Sequence, residues 1–187
     1  MNILGQNTEQ RIIGLFDRGD ASAMDALYAE YADYLTGVCF RYITDKDDLK
    51  DVLQESFIKI FTQINKFEYR GKGSLKAWMS RIVANEALMF LRKNNSIEDR
   101  LEKELPDLPD EDPDVGGLAG EVLAEMIRQL PTGYRTVFNL FVIEGYSHKQ
   151  IAEQLNIKPD TSASQFNKAR KMLARMIKDY NKKNDKI

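Results

Sequence analysis

The sequence predicts an all-α protein of two helical domains joined by an acidic flexible linker. Three observations carry that prediction. Apolar residues recur every three or four positions over long stretches, and no sustained apolar/polar alternation marks a strand. The stretch Glu104–Gly120, ELPDLPDEDPDVGGLAG, holds three Pro and three Gly within an acidic run and lacks an apolar period, the composition of a linker. Charge is also unevenly spread. The 187 residues carry a formal net charge of -2, but between Ser96 and Gly117 nine acids face only Arg100 and Lys103, whereas from Lys158 onward nine Lys and Arg face Asp160, Asp179 and Asp185.

The elements follow in order. Met1–Arg18 begins polar and shows neither a basic n-region nor an apolar stretch with a small-residue cleavage site, so no signal peptide is predicted there. Asp20–Tyr34 reads as a helix and Leu35–Tyr42 continues apolar. Leu49, Val52, Leu53, Phe57, Ile60, Phe61 and Ile64 form one buried stripe on the next helix. A third long helix, Ser74–Lys93, starts after Gly71 and Gly73. These make a small helical bundle over residues 1–95, followed by the acidic linker 96–120 and a second domain 121–187. In that domain helices are expected at about Glu121–Gln129, Tyr134–Ile143, Ser147–Leu155 and Pro159–Tyr180.

Composition excludes several classes. No apolar run approaches the roughly 20 residues that span a bilayer. Cys39 stands alone and cannot form an internal disulfide, and with the single His148 it leaves no zinc ligand set, so neither a metal site nor a cofactor is expected. A reducing, cytoplasmic setting fits. RGKGS is not a phosphate-binding P-loop, because Gly follows the Lys and no Gly stands five residues before Gly71. With scattered carboxylates and no nucleophile motif, no catalytic residue is assigned and no small-molecule substrate is expected.

The second domain carries the informative motif. Ser147-His148-Lys149-Gln150 is a capping box that starts a helix, whose apolar face is Ile151, Ala152 and Leu155. Asn156 tolerates the left-handed conformation of a helix end, and Ile157 plugs the corner. Pro159 suits the first position of a new helix, and Asp160 favours its positive end. The result is helix, short turn, helix. The second helix presents Thr161, Ser162, Ser164, Gln165, Asn167 and Lys168, short polar side chains suited to base edges and phosphates, with Arg170, Lys171, Arg175 and Lys178 available to phosphates. Phe166, Ala169, Met172 and Leu173 form the opposite, apolar stripe. A plain helical hairpin with a solvated polar face is the alternative.

From Leu130 onward, LPTGYRTVFNLFVIEGYSHKQIAEQL and NIKPDTSASQFNKARKML resemble region 4 of the extracytoplasmic-function (ECF) class of sigma-70 family RNA polymerase sigma factors. Upstream, ALYAEYADYLTGVCFRYITDKDDLKDVLQESFIKIF and KFEYRGKGSLKAWMSRIVANEALMFLRK resemble region 2 of the same class. The two blocks stand in the right order around the linker.

That resemblance implies roles. The segment Asp48–Lys59, with Asp48, Asp51, Gln54, Glu55, Phe57 and Lys59, is similar to the helix that docks on the clamp helices of the largest polymerase subunit, while region 4 meets the flap. A solvated charged face is the plainer reading of those residues. Phe67–Trp78 resembles the loop and helix start that engage the melted -10 element. There Gly71 and Gly73 permit close backbone approach, Arg70 and Lys72 attract phosphate, and Ser74 opens the helix. Tyr69 or Trp78 stacks on or supports an unpaired base, although a lone Trp at helical spacing also suits a core. Arg81, Asn85 and Arg92 lie farther along, with the Asn85 amide able to read a base edge.

The helix Asp160–Arg170 then binds the duplex -35 element, with Lys158, Thr161, Ser162, Ser164, Gln165, Asn167, Lys168, Arg170 and Lys171 at the DNA. Two positions depart from the usual pattern: Ser162 stands where many helix-turn-helix proteins place an interlocking Val or Ile, and Lys158 where a Ser or Thr cap is expected. The resemblance implies core RNA polymerase and promoter DNA as partners, and an anti-sigma factor that holds the protein inactive. Phe138, Phe141 and Phe166 are assigned to core packing in preference to that partner. A free-standing helix-turn-helix regulator is the second reading, and an enzyme the third.

Overall fold

The computed structural model describes residues 7–94, 113, 116 and 118–184. Among them are eight α-helices and no strand. The chain divides into two compact units, Met1–Phe90 and Leu91–Ile187. Most of the acidic linker 96–120, and with it the expectation that it is flexible, lies outside the described residues.

The first unit opens with a helix the sequence reading did not predict, α1, Thr8–Asp17. Asn7 starts it with a capping box: its side chain accepts from the Gln10 amide at 2.9 Å, and the Gln10 side chain returns to the Asn7 amide. The helix α2, Ala23–Phe40, begins three residues later than expected and runs unbroken through the two segments read separately. Asp45 caps α3, Lys46–Gln63, by accepting from the amides of Asp47 (2.9 Å) and Asp48 (3.1 Å). A single 3-10 turn, Ile64–Lys66, leads to the loop before α4, Ser74–Lys93.

Leu27, Leu35, Ile60, Leu75 and Met79 are fully buried at the centre of this unit. Burial of each such side chain contributes roughly 1.5–3 kcal/mol. The predicted stripe supplies Val52, Phe57 and Ile60 of α3 and Ile64 of the 3-10 turn to the buried set, in keeping with its helical period. Cys39 is buried among them, and burial pushes its thiol up to about 12.

In the second unit α5, Gly120–Arg128, and α6, Thr132–Phe138, are joined by a tight corner. Buried Arg135 holds that corner: its Nη1 donates to the carbonyls of Arg128 (3.0 Å) and Leu130 (2.9 Å), satisfying acceptors at the end of α5. After α6 the chain widens into one π-type turn, Asn139–Ile143, closed by the Glu144 amide donating to the Asn139 carbonyl at 3.1 Å. Then come α7, His148–Leu155, and α8, Pro159–Asn184. The core is Met126, Leu130, Tyr134, Ala169, Leu173 and Ile177, so the 26-residue α8 serves both the corner and the body of the unit.

Candidate nucleic-acid interface

The corner between α7 and α8 follows the predicted local chemistry. The Ser147 hydroxyl accepts from the Gln150 amide at 3.3 Å and the Gln150 Oε1 accepts from the Ser147 amide at 2.9 Å. Asn156 ends α7 at φ 55°, in the left-handed region, Ile157 is half-buried, and Pro159 is the first residue of α8.

Two predicted DNA-facing residues prove to face inward. Ser162 is 0% exposed, and its hydroxyl lies 3.0 Å from Nδ1 of His148. It joins α7 to α8 with a hydrogen bond, at the position where an apolar lock was expected. Gln165 is 3% exposed, and neither its Oε1 nor its Nε2 has a hydrogen-bond partner among the described residues. Both lie on the helical repeat 162, 165, 169, 173 that continues into Ala169 and Leu173, which turns them into the unit rather than toward a groove. Lys158, Ser164 and Asn167 are exposed, and Thr161, Lys168, Arg170 and Lys171 are half-buried. Thr161, Ser164, Lys168 and Lys171 fall at three- and four-residue spacings on one outward stripe, next to Asn167.

The π-type turn and α7 meet α8 through rings. Phe141 stacks on His148 at 4.5 Å, and Phe166 lies 4.6 Å from Phe141 and 6.1 Å from Phe138. Phe141 and Phe166 thus pack on each other and on His148, and Phe138 packs on Phe166, with all three phenylalanines half-buried.

In the first unit the loop after the 3-10 turn and the start of α4 enclose a cleft of about 550 Å³. Arg70, Ser74, Trp78 and Arg81 line it together with Lys66 and Phe67, so four of the seven residues predicted for the -10 element converge there. Trp78 is half-buried, with its ring centroid 5.2 Å from that of Phe67, which holds it as one wall. Ser74, Trp78, Arg81 and exposed Asn85 share one face of α4. Lys72 is exposed beyond the cleft, and Tyr69 turns away from it, its hydroxyl accepting from Asn7 Nδ2 at 2.7 Å. Gly71 and Gly73 have φ of 114° and 91°, and a Cβ at either would meet nothing within 4 Å. These glycines serve the turn's left-handed backbone.

On α3, Asp51, Gln54 and Glu55 are exposed on one face. Asp48 is half-buried, and its carboxyl is raised above the usual range by desolvation and then by Asp45, Asp51 and Asp47. Phe57 is 8% exposed, with ring centroids 5.0 Å from Tyr28 and 5.8 Å from Phe61, so it belongs to the core rather than to a docking face. Lys59 is tied to Glu86 of α4 at 2.6 Å and braces the unit. The sequence reading missed Ile58. It is 48% exposed, on the same face as Asp51, Gln54 and Glu55, and its signal was an apolar residue lying off the buried stripe.

The fold and these surfaces define a helix-turn-helix protein with a second helical unit ahead of it. The family description "Sigma-70 region 2" matches residues 27–97, and "Sigma-70, region 4" matches residues 120–173. The ECF RNA polymerase sigma-E factor of Haemophilus influenzae is 30% identical over 185 residues, covering 92% of this chain and 96% of that protein. The RNA polymerase sigma-H factor of Pseudomonas aeruginosa is 29% identical over 190 residues, covering 94% and 96%. Among solved structures, that of CnrH in complex with the cytosolic domain of CnrY aligns at a TM-score of 0.49 and 20% identity, covering 92% of this chain and 99% of that one. The chain belongs to the sigma-70 family of RNA polymerase sigma factors, in its ECF class.

Proposed function

We propose that the surfaces described above divide the work of promoter recognition. Residues 1–95 dock on core polymerase and hold the melted -10 strand, residues 121–187 read the duplex -35 element, and the acidic segment 96–120 links them. The docking face is Asp51, Gln54, Glu55 and Ile58 of α3, an apolar side chain ringed by acidic and amide groups, which suits a helix-in-groove contact. The -10 strand enters the cleft lined by Arg70, Ser74, Trp78 and Arg81, where the Arg81 guanidinium and that of Arg70, which exchanges its surface ion pair with Glu68 at 3.3 Å for phosphate, attract the backbone and an aromatic wall accepts a base. Lys158, Thr161, Ser164, Asn167, Lys168 and Lys171 meet the -35 duplex.

The single observation that carries this reading is the cleft, because the loop and first turns of α4 between Lys66 and Arg81 bring cationic and aromatic side chains together around one cavity. No active site is needed: specificity and opening come from binding energy, and the phosphodiester chemistry belongs to the polymerase. The protein works in the cytoplasm, and none of its described helices is long and apolar enough to cross a membrane. An anti-sigma factor covering the exposed faces completes the set of partners. The matched relatives, aligned over more than nine-tenths of both chains, are themselves sigma factors, and no observation favours a free-standing regulator.

The docking face is tested by pull-down with core polymerase. Ile58→Glu is expected to weaken capture by roughly tenfold or more while leaving the melting temperature unchanged, since truncating or charging a central apolar contact costs upward of about 2 kcal/mol. Phe57→Ala, by contrast, lowers stability first. Capture of Ile58→Glu at the wild-type level would remove this face from the proposal.

A further inference from the structure

The helix that the sequence reading missed lies against the loop that builds the cleft. A new helix exposes unpaired amides at its first turn, and a nearby Ser, Thr, Asp or Asn usually accepts from them. At the start of α4 the local candidate is Ser74, but its Oγ accepts from the Arg70 amide at 3.2 Å. The cap comes from 64 residues away. Glu9 of α1 is 6% exposed, and its Oε2 accepts from the Gly73 amide at 2.8 Å while its Oε1 accepts from the Lys76 amide at 3.1 Å. A buried carboxylate in that place is held by two amides and by the positive end of the helix dipole. One residue pair adds a second tie: Asn7 Nδ2 donates to the Tyr69 hydroxyl at 2.7 Å.

The two ties hold the loop at both ends, at Tyr69 and at Gly73–Lys76, with Arg70, Gly71 and Lys72 spanned between them. Gly71 and Gly73 supply the positive-φ backbone of that span, and two bonds inside it, the Arg70 amide to Ser74 Oγ at 3.2 Å and the Ser74 amide to the Gly71 carbonyl at 3.1 Å, form a turn that the two ties anchor to α1. No residue of α1 lines the cleft. We infer that α1 is the positioning element of the -10 cleft: Glu9 and Asn7 fix the loop that carries Arg70 and Lys72 and the first turn that carries Ser74. They set how well the cleft holds a single strand without touching nucleic acid.

This inference rests on the cleft being the -10 site, and the test separates the two. Wild type, Glu9→Gln, Asn7→Ala and Tyr69→Phe are each assembled as full chains with core polymerase. Three quantities are read: affinity for a non-template-strand oligonucleotide spanning the -10 region of a mapped start, affinity for core polymerase, and melting temperature. Glu9→Gln keeps the size of the side chain but leaves one acceptor oxygen and turns an amide donor toward a backbone amide. Loss of a buried charge-assisted pair of this kind weakens strand affinity by roughly tenfold, and Asn7→Ala and Tyr69→Phe weaken it by about threefold, with core affinity held within about twofold. Strand affinities within about twofold of wild type for all three variants would overturn the inference. So would losses that run in parallel with core affinity and melting temperature, which mark a merely structural role. Failure of the wild-type assembly to bind the strand overturns the -10 reading itself.

Discussion

Replacing Gln165 of α8 by Met is expected to raise the stability of the second unit without weakening its hold on duplex DNA. In sequence Gln165 stands in the recognition helix as an amide ready for a base edge. In the structure it is buried, with both polar atoms of its amide unpaired among the described residues. A buried unpaired polar group costs about 1–3 kcal/mol. Met has nearly the same length and no branching, so it fills the same space without an unsatisfied group. The substitution is therefore expected to stabilise by about 1–2 kcal/mol, and for a domain of 60–100 residues each kcal/mol moves the melting temperature by roughly 4–8 °C. The assay is thermal denaturation of the full chain, paired with binding of the reconstituted polymerase assembly to a promoter duplex carrying its mapped -35 element. The expected result is a higher melting temperature with duplex affinity inside about twofold, whereas Asn167→Ala on the outward face loses affinity by about fivefold with no change in stability. A Met variant that melts no higher than wild type and loses sequence-specific affinity would show that Gln165 turns outward to read DNA.

Two further outcomes follow from the buried polar groups. The hydrogen bond between Ser162 and His148 joins the two helices of the corner, so a double-mutant cycle of Ser162→Ala and His148→Ala is expected to give a coupling of about 0.5–1.5 kcal/mol in denaturant unfolding; additive losses would dissolve the link. Cys39 and Tyr31 are both raised to about 12, each first by burial and Tyr31 next by Glu9 and Glu30. Because the folded-state values lie above the ordinary ones, their contribution is fully present below about pH 9 and is lost as the pH rises toward 12. The denaturant midpoint is accordingly expected to fall between pH 9 and 12, with Cys39→Ala flattening part of that slope; a profile that stays level across this window would refute the burial of these groups.

Local signals were legible and long-range ones were not. The capping box at Ser147, the left-handed Asn156 and Pro159 each encode their own geometry within four residues, and the corner forms where they stand. The stripe on α3 was readable because seven apolar residues repeat one period. The inward turn of Ser162 and Gln165 was hidden by their polar character, although the repeat through Ala169 and Leu173 carried the phase. The capping box at Asn7 and Gln10 was likewise local, but α1 is only 10 residues long, and helices of that length draw their stability from the packing of residues such as Ile12 and Glu9 against the rest of the unit. Nothing in the sequence near Ser74 announces that its cap is Glu9. The cleft was half-read for the same reason: Arg70, Ser74, Trp78 and Arg81 were named, but Tyr69 points to Asn7, a contact made across 62 positions.

On the division of labour proposed above, this chain directs core polymerase to promoters through two separate DNA surfaces. Transcription from fragmented genomic DNA by core polymerase, with and without the protein, followed by mapping of the transcript starts, tests it most directly. New starts that share two spaced upstream motifs are predicted, with Arg81→Ala abolishing opening and Asn167→Ala relaxing only the farther motif. A protein that is folded and bound to core polymerase yet yields no new starts would contradict the account.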